Sequence, residues 1–414
     1  MTTNILIVTF WSLREAHIQA NVLPSIRTLR KFLPTGSKII LVTLEKRDLK
    51  LIDSAYKLSM DQLASENILW KPFPYLPFGI GLMGIGVWMV LRLAFLSWAQ
   101  KIKVIHCWCT PAGAIGYALS LLTGKRLLID SYEPHAEAMV ENGTWSRSSF
   151  AFRFLFWLEK LQSQRAWRVI GVTEGMHTYA IQKFNIDLSD RYYVKPSCVD
   201  LSLFTADKLK NRDLLEKFQL HDKVVCVLAG QLGGIYLTEE VFDFFKVAAD
   251  YWGDKFRVLL LMRLGEEELE SCCKRAGLDA AVVRLTFVSH EEVPMYIGLG
   301  DFGLTPVKPV PTKLYCTPLK DGEYWALGLP VVIPAGISDD SQIIEDNKIG
   351  AVLRNLNKED YRQAVITIDR LLQKPRMENF RKIRAIAHRY RGQEIGRKVY
   401  KEVYTDVSVF LPGS

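Results

Sequence analysis

The chain has 414 residues, of which 49% are hydrophobic and 24% charged, and its formal net charge is +8. That length exceeds one hydrophobic core and fits two domains of about 200 residues each, while the composition excludes a disordered majority. Seven cysteines, an odd number without a CxxC pair, point to reduced thiols in a cytosolic compartment rather than a disulfide framework or zinc site.

The first residues lack a basic n-region and run straight into the apolar stretch Asn4–Phe10, so no secretory signal is expected. Asn4–Phe10 and Lys38–Leu44 are continuous apolar runs, the pattern of parallel strands covered on both faces. Between them Ile18, Val22, Ile26 and Leu29 recur at helical spacing. Lys103–Cys107 and Arg126–Ile129 read as further strands, separated by the small-residue helix Ala112–Leu122. Ser148–Trp167 makes a long helix, and Arg168–Val172 a strand ending at Thr173-Glu174.

One segment of this half stands apart. Residues 78–98 carry a single charge, Arg92, in a run long enough to cross a bilayer. A membrane span would hold Arg92 at depth and interrupt the strand-helix alternation on both flanks. A fully buried helix would carry Gly79, Gly81, Gly84 and Gly86 in its first half, each weakening it. An interfacial or partly buried helix, with Trp88, Phe95 and Trp98 at headgroup level and Arg92, Lys101 and Lys103 reaching phosphates, explains the composition best. The protein is therefore expected to be cytoplasmic and to touch the inner face of the cell membrane.

After the linker Val194–Asp200 and the charged stretch Lys208–Lys217 a second winding begins. Lys223–Leu228, Phe256–Met262 and Val282–Phe287 read as strands, with helices Thr238–Trp252 and Glu266–Ala276 between them. Val293–Leu299, Asp301–Thr305, a helix-stop-strand element at 317–333 and Gly350–Leu353 follow, and Asp360–Val403 is helical. The expected fold is α/β: two Rossmann-like, doubly wound domains facing across a cleft, with a C-terminal helical tail. The domains are set at 1–200 and 201–385, with 386–414 returning to the N-terminal domain. Between Lys374 and Lys401 basic residues far outnumber acids. Without a zinc-finger, RNP or helix-turn-helix signature, a membrane surface or phosphate ranks above nucleic acid as its partner.

In such sheets ligands bind beyond the C-terminal strand ends. Ala229-Gly230-Gln231-Leu232-Gly233-Gly234 leaves the first strand of the second domain, and its glycines allow close backbone approach to a diphosphate, or else form a turn with no ligand. It is neither GxGxxG nor a Walker A loop, which counts against NAD or ATP. Thr317-Pro318-Leu319-Lys320-Asp321-Gly322-Glu323-Tyr324 opens a short helix whose free N–H groups and positive end suit an anion. Lys320 stands there, and Glu323 is placed to accept from sugar hydroxyls. An ordinary helix-strand turn is the alternative.

In the first domain, Tyr132, His135 and Glu137 follow a strand and can handle protons or bind hydroxyls, or form a polar helix cap. His17 follows the loop after the first strand; it could face an acceptor, though a surface role is the simpler reading. Asp339-Asp340-Ser341 looks like a metal-type pair, but an N-cap explains it better, so no metal is expected. No Ser/His/Asp relay or HExxH motif occurs.

Gly322-Glu323-Tyr324-Trp325-Ala326-Leu327-Gly328-Leu329-Pro330-Val331-Val332 resembles a signature of the GT4-type retaining glycosyltransferases of GT-B fold. Val194–Asp200 with Phe204, and Val293–Tyr296 with Asp301–Leu304, are similar to two further signatures in the same order. The resemblance implies a nucleotide-sugar donor held mainly by the second domain and an acceptor held mainly by the first. By position it places Glu323 on the donor ribose, and Lys320 with neighbouring N–H groups and Gly233-Gly234 on the diphosphate. Thr317, Leu319 and Tyr324 join this donor set. Tyr315 departs from the first glutamate of the family motif, whereas Pro318-Leu319-Lys320-Asp321-Gly322-Glu323 fits its P-x-K-x-x-E variant. Gln231 and Tyr236 stand where many members carry basic residues, and Tyr132 and His135 flank the slot of a histidine. The resemblance implies retention and no cofactor; the apolar segment 78–98 and the basic tail point to a lipid-linked or surface-polysaccharide acceptor, and no nucleic acid is expected. The rivals are a GT-B-fold sugar-nucleotide epimerase or hydrolase and a non-catalytic partner subunit.

Overall fold

The computed structural model describes residues 2–15, 17–46, 53–75, 80–289 and 291–405. Phe78, Gly79 and His290 lie outside them. The chain divides into two compact units, Met1–Pro196 with the segment from Glu394 onward, and Ser197–Gln393. The expected breaks stood at 200 and 385.

The first unit holds seven strands among the described residues: β1 (Asn4–Val8), β2 (Ile39–Glu45), β3 (Ile68–Pro74), β4 (Ile102–Trp108), β5 (Arg126–Tyr132), β6 (Arg168–Gly171) and β7 (Tyr192–Val194). They pair in parallel in the order β3-β2-β1-β4-β5-β6-β7. The second unit has β8 (Val224–Ala229), β9 (Phe256–Leu261), β10 (Val283–Thr286), β11 (Phe302–Leu304), β12 (Val331–Pro334) and β13 (Gly350–Leu353). Their order, β10-β9-β8-β11-β12-β13, is parallel throughout and repeats the same winding. Side chains alternate across each sheet. In β8, Cys226 and Leu228 enter one apolar cluster while Val225, Val227 and Ala229 enter the other. Helices cover both faces, which is why these strands lack polar alternation.

The apolar segment forms one helix, Ile80–Ala99. Met89, Leu93, Ala94 and Ser97 are buried, and Val87, Trp88, Leu91, Phe95 and Trp98 are exposed. The Arg92 guanidinium sits 4.8 Å from the Trp88 ring centroid. Among the described residues no helix is long and apolar enough to cross a membrane. The helix is therefore packed on one side only.

Gln393–Thr405 packs on the first unit through Val399, Tyr400, Val403 and Tyr404, spaced to share one helix face. Beneath it lies a buried polar network. Tyr400 Oη donates to Asp130 Oδ2 at 2.6 Å, and Lys195 Nζ lies 3.2 Å from Asp130 Oδ1. His106 Nε2 is 3.3 Å from Asp130 Oδ2, and its Nδ1 meets Tyr404 Oη at 2.7 Å. Burial pushes the Asp130 carboxyl up, but Lys195, His106 and Tyr400 together outweigh it and hold it down at about 2. Since that value is below the unfolded one of about 3.9, the network's stabilisation is present above that pH and fades as pH falls through about 2.

The basic stretch between Lys374 and Lys401 is not one solvated face. Arg376 donates to Gly300 O and pairs with Asp301. Arg384 donates to Leu201 O at 2.7 Å and Ala326 O at 2.6 Å, and Arg391 is buried. These arginines fasten the helix Arg376–Arg391 to the second unit.

Asp130→Asn leaves Lys195 buried beside a neutral group, and breaking a buried pair costs about 3–5 kcal/mol. The expected result in urea unfolding of the full chain is a lowered midpoint for the first unit only. An unchanged midpoint at pH 7 would show that the network adds nothing to stability.

Candidate functional site

In the second unit the loops after β8, β11 and β12 share the C-terminal sheet edge. Gly233 and Gly234 have φ of +74° and +58°, and a Cβ on either would meet nothing within 4 Å. The loop thus needs left-handed residues and presents open backbone. It is tied down behind: Leu237 N donates to Pro306 O at 2.8 Å, and Lys308 N to Ile235 O at 3.0 Å.

The helix Leu319–Ala326 starts at the same edge, with Pro318 as N-cap and no side-chain cap. Its first N–H groups therefore have no intrahelical acceptor. Lys320 Nζ lies 2.8 Å from Glu323 Oε2; the carboxylate is buried and the ammonium half-buried. Leu319 and Thr317 are half-buried beside this pair, and Thr317 O accepts from Ser197 Oγ at 3.0 Å. Tyr324 differs from expectation. It is fully buried, and its hydroxyl accepts from Ala229 N at 2.9 Å. Its position is under the glycine loop, which it anchors to the helix, rather than on a face open to ligand. Gly328 stops the helix at φ +70°, where a Cβ would stand 2.3 Å from Phe380 Cα.

Below this edge is a charge cluster with no counterpart in the sequence reading. Asp321, Asp340 and Arg391 are all buried. Arg391 pairs with Asp340, and its guanidinium is 5.4 Å from the Trp325 ring centroid. Asp321 Oδ1 accepts from Thr305 Oγ1, while its Oδ2 has no partner among the described residues. Burial raises the Asp321 carboxyl, against the Thr305 hydrogen bond and the Arg391 charge. One cation thus lies among two buried carboxyls, and the Asp321 carboxyl is raised to about 7 by its burial. Asp339, at the N-cap, makes no capping hydrogen bond, so its neighbour Asp340 is there for Arg391 instead. Among the described residues no group of three or more His, Cys, Asp or Glu could hold a metal ion.

In the first unit the three residues singled out after β5 go to different places. Tyr132 is fully buried, with its hydroxyl 2.8 Å from Ser163 Oγ. Burial pushes that hydroxyl up, so it holds the helix Phe150–Arg165 against the sheet rather than moving a proton. Glu137 is buried and paired with Lys183 at 3.0 Å and Arg147 at 3.5 Å. That double pairing makes it a tether. His135 alone reaches a cavity, of about 510 Å³, with its Nδ1 3.1 Å from Glu133 Oε1.

His17 was undervalued by its sequence context. It follows the first strand's loop, lies against Trp11 with centroids 4.3 Å apart and the rings tilted by 45°, and its Nε2 is buried without a partner among the described residues. Burial lowers its imidazole to about 4, with Lys195 acting in the same direction and Glu133 against it. It is therefore neutral at physiological pH. The one signal for Asp130 was a lone acid closing an apolar strand.

No family model and no curated protein matches the chain. Solved structures do. Sucrose-phosphate synthase from Thermosynechococcus elongatus superposes with a TM-score of 0.72 at 15% identity, covering 98% of this chain and 99% of that one. The Anabaena protein HepE, solved in complex with UDP, gives 0.70 at 14% identity over 97% and 99%. WaaG, a glycosyltransferase involved in lipopolysaccharide biosynthesis, gives 0.70 at 11% identity over 98% and 100%. The fold is GT-B. GT-B chains wind each of two domains as observed here, and the C-terminal helices are present as well.

Asp321→Asn keeps an acceptor for Thr305 and the one-to-one balance of Arg391 with Asp340. Because the folded carboxyl is raised, wild-type stability falls as pH rises from the unfolded carboxylate value, about 3.9, toward neutrality. The variant is expected to fold, to match or exceed wild-type stability at pH 7, and to lose that slope in thermal melts. A retained slope would assign the titration elsewhere.

Proposed function

We propose that the protein is a retaining glycosyltransferase of GT4 type, taking a sugar from a nucleotide-sugar donor to a lipid-linked or surface-polysaccharide acceptor at the cytoplasmic face of a membrane. The observation that carries the reading is the pairing of Lys320 with buried Glu323 at a helix start, on the same sheet edge as the open Gly233-Gly234 backbone. Diphosphate and pentose lie side by side in a nucleotide sugar, as do an ammonium with N–H donors and a carboxylate here. The fold supports it, since HepE of the same fold was solved in complex with UDP-glucose.

In this reading the bond from the sugar's anomeric carbon to the diphosphate breaks as the acceptor hydroxyl attacks from the same face. Negative charge grows on the departing phosphate oxygen, where Lys320 and the first N–H groups of Leu319–Ala326 stabilise it. The hydroxyl proton leaves with the phosphate. Thr317 and Leu319 shape the donor's surroundings, and Tyr324 fixes the glycine loop through Ala229. On the acceptor side the reading assigns the hydroxyl to His135, which lines the first unit's cavity. No cofactor is invoked. The exposed face of Ile80–Ala99 supports membrane contact, since Trp88, Phe95 and Trp98 project from it with Arg92 alongside.

Removing either partner of the pair separates the two halves of the donor. Glu323→Ala is expected to weaken a nucleoside diphosphate at least about tenfold, the loss of one hydrogen bond to a charged group, while leaving inorganic pyrophosphate bound. Lys320→Ala is expected to weaken both. Calorimetric titration checks this, and wild-type affinity for nucleoside diphosphate in Glu323→Ala would overturn the assignment. A panel of uridine and guanosine diphosphate sugars, followed for slow donor hydrolysis, then identifies the donor.

A further inference from the structure

We infer that the cavity in the first unit is a binding site for a single hydrocarbon chain, held with its polar head at His135. For its bearing on the acceptor the inference rests on the transferase reading; as a binding site it stands independently.

The cavity measures about 510 Å³, within the usual range for small-molecule sites. It lies at the C-terminal sheet edge, where Phe10 follows β1 and Leu44 is the last residue but one of β2. Four helices complete the wall: Ile80–Ala99, Cys109–Thr123, His135–Glu141 and Phe150–Arg165. Among the described lining residues no carboxylate, ammonium or guanidinium occurs, and apart from the Met89 and Met139 thioethers the side-chain polar atoms come from Tyr75, His135, Thr144 and Trp145. A sugar or a nucleotide would leave its hydroxyls or phosphates unpaired against such a wall, at a cost of about 1–3 kcal/mol for each buried polar group. A hydrocarbon would leave nothing unpaired.

The wall shows how such a chain arrives. Gly86, Met89 and Val90 line the cavity, and Val87, Trp88 and Leu91 on the same turns are exposed. One helix thus presents apolar surface to the cavity and to the outside, continuous around its circumference. Small residues keep the space open from the second helix, where Ala114 and Ala118 stand half-buried one turn apart. The occupant's head then lies at His135, whose Nδ1 is engaged by Glu133. In the transferase reading the head carries the hydroxyl that receives the sugar, so the acceptor is an amphiphile and not a free polysaccharide.

The test titrates the full chain with geranyl phosphate, decyl phosphate and inorganic phosphate, below micelle-forming concentrations, by calorimetry. One or both chain-bearing probes are expected to bind at least about tenfold more tightly than inorganic phosphate; geranyl phosphate alone would mark an isoprenoid source, decyl phosphate alone an acyl one. Ala114→Phe, or Ala118→Phe should the first not fold, fills the space. Either is expected to weaken chain binding about tenfold while leaving nucleoside diphosphate affinity unchanged. Chain-bearing probes that bind no better than inorganic phosphate, or that bind the filled variant equally well, would overturn the site. Nucleoside diphosphate binding in the same samples distinguishes the two failures: its persistence confines the loss to this cavity, and its absence from wild type would defeat the transferase reading instead.

Discussion

A parallel sheet cannot close its own turns: every strand must be followed by a crossover over one face before the next begins. Both sheets here are parallel throughout, so every functional loop of a unit is delivered to the same edge. In the second unit that edge receives Gly230–Gly234 from β8, Thr305 onward from β11 and the start of Leu319–Ala326, which no side chain caps. In the first it receives the Trp11–His17 loop from β1 and the residues from Glu133 to His135 from β5. The strands themselves are nearly pure hydrocarbon, and chemistry collects where the backbone leaves them.

Charge is scarce inside both units, and two of the buried carboxylates are bound to the C-terminal helices. Asp130 is held by Lys195, His106 and Tyr400, the last from Gln393–Thr405. Asp340 is held by Arg391, the final residue of Arg376–Arg391. Two successive helices thus each place a polar side chain into the interior of a different unit. Buried ion pairs gain little net stability over apolar packing, but a missing partner is costly. Their effect is to make any other seat for either helix expensive. The chain passes from one unit to the other between these anchors, at Gln393 and Glu394.

The repeated winding was legible because central parallel strands are long apolar runs between helices. In the second unit β8, β9, β10 and β12 were readable as strands, while β11 and β13, three and four residues long, fell in segments to which the sequence assigned no type. β3 and β7 were not readable, and both are edges of the first sheet. An edge needs only one partner, so β3 tolerates Pro72 and Pro74, and β7 is three residues long. Within the candidate site, Lys320, Glu323 and the glycine loop were legible from spacing along a short stretch. Asp321 with Arg391 was not, since 70 positions of chain separate them and only the fold joins them. Tyr132 and Glu137 were singled out by residue type and Tyr324 by its place in the resembling motif; in the fold each is buried and bonded to neighbouring elements.

The helix Ile80–Ala99 shows why hydropathy alone was ambiguous there. An apolar face toward the core and an apolar face toward solvent add up to a run without periodicity, indistinguishable by composition from a membrane span. Packing separates the two. Leu93 and Ala94 are buried against the domain, whereas Phe95 is 71% exposed. A large apolar side chain gains about 1.5–3 kcal/mol when fully buried, so five such residues on one exposed face leave several kcal/mol unused by folding. Scattered apolar residues on a surface need no explanation, but a stripe along one helix beside a cavity of the same character does. Folding alone gives no reason to keep Trp88, Leu91 and Phe95 outside, and that exposed apolar surface is what the proposed membrane contact would use.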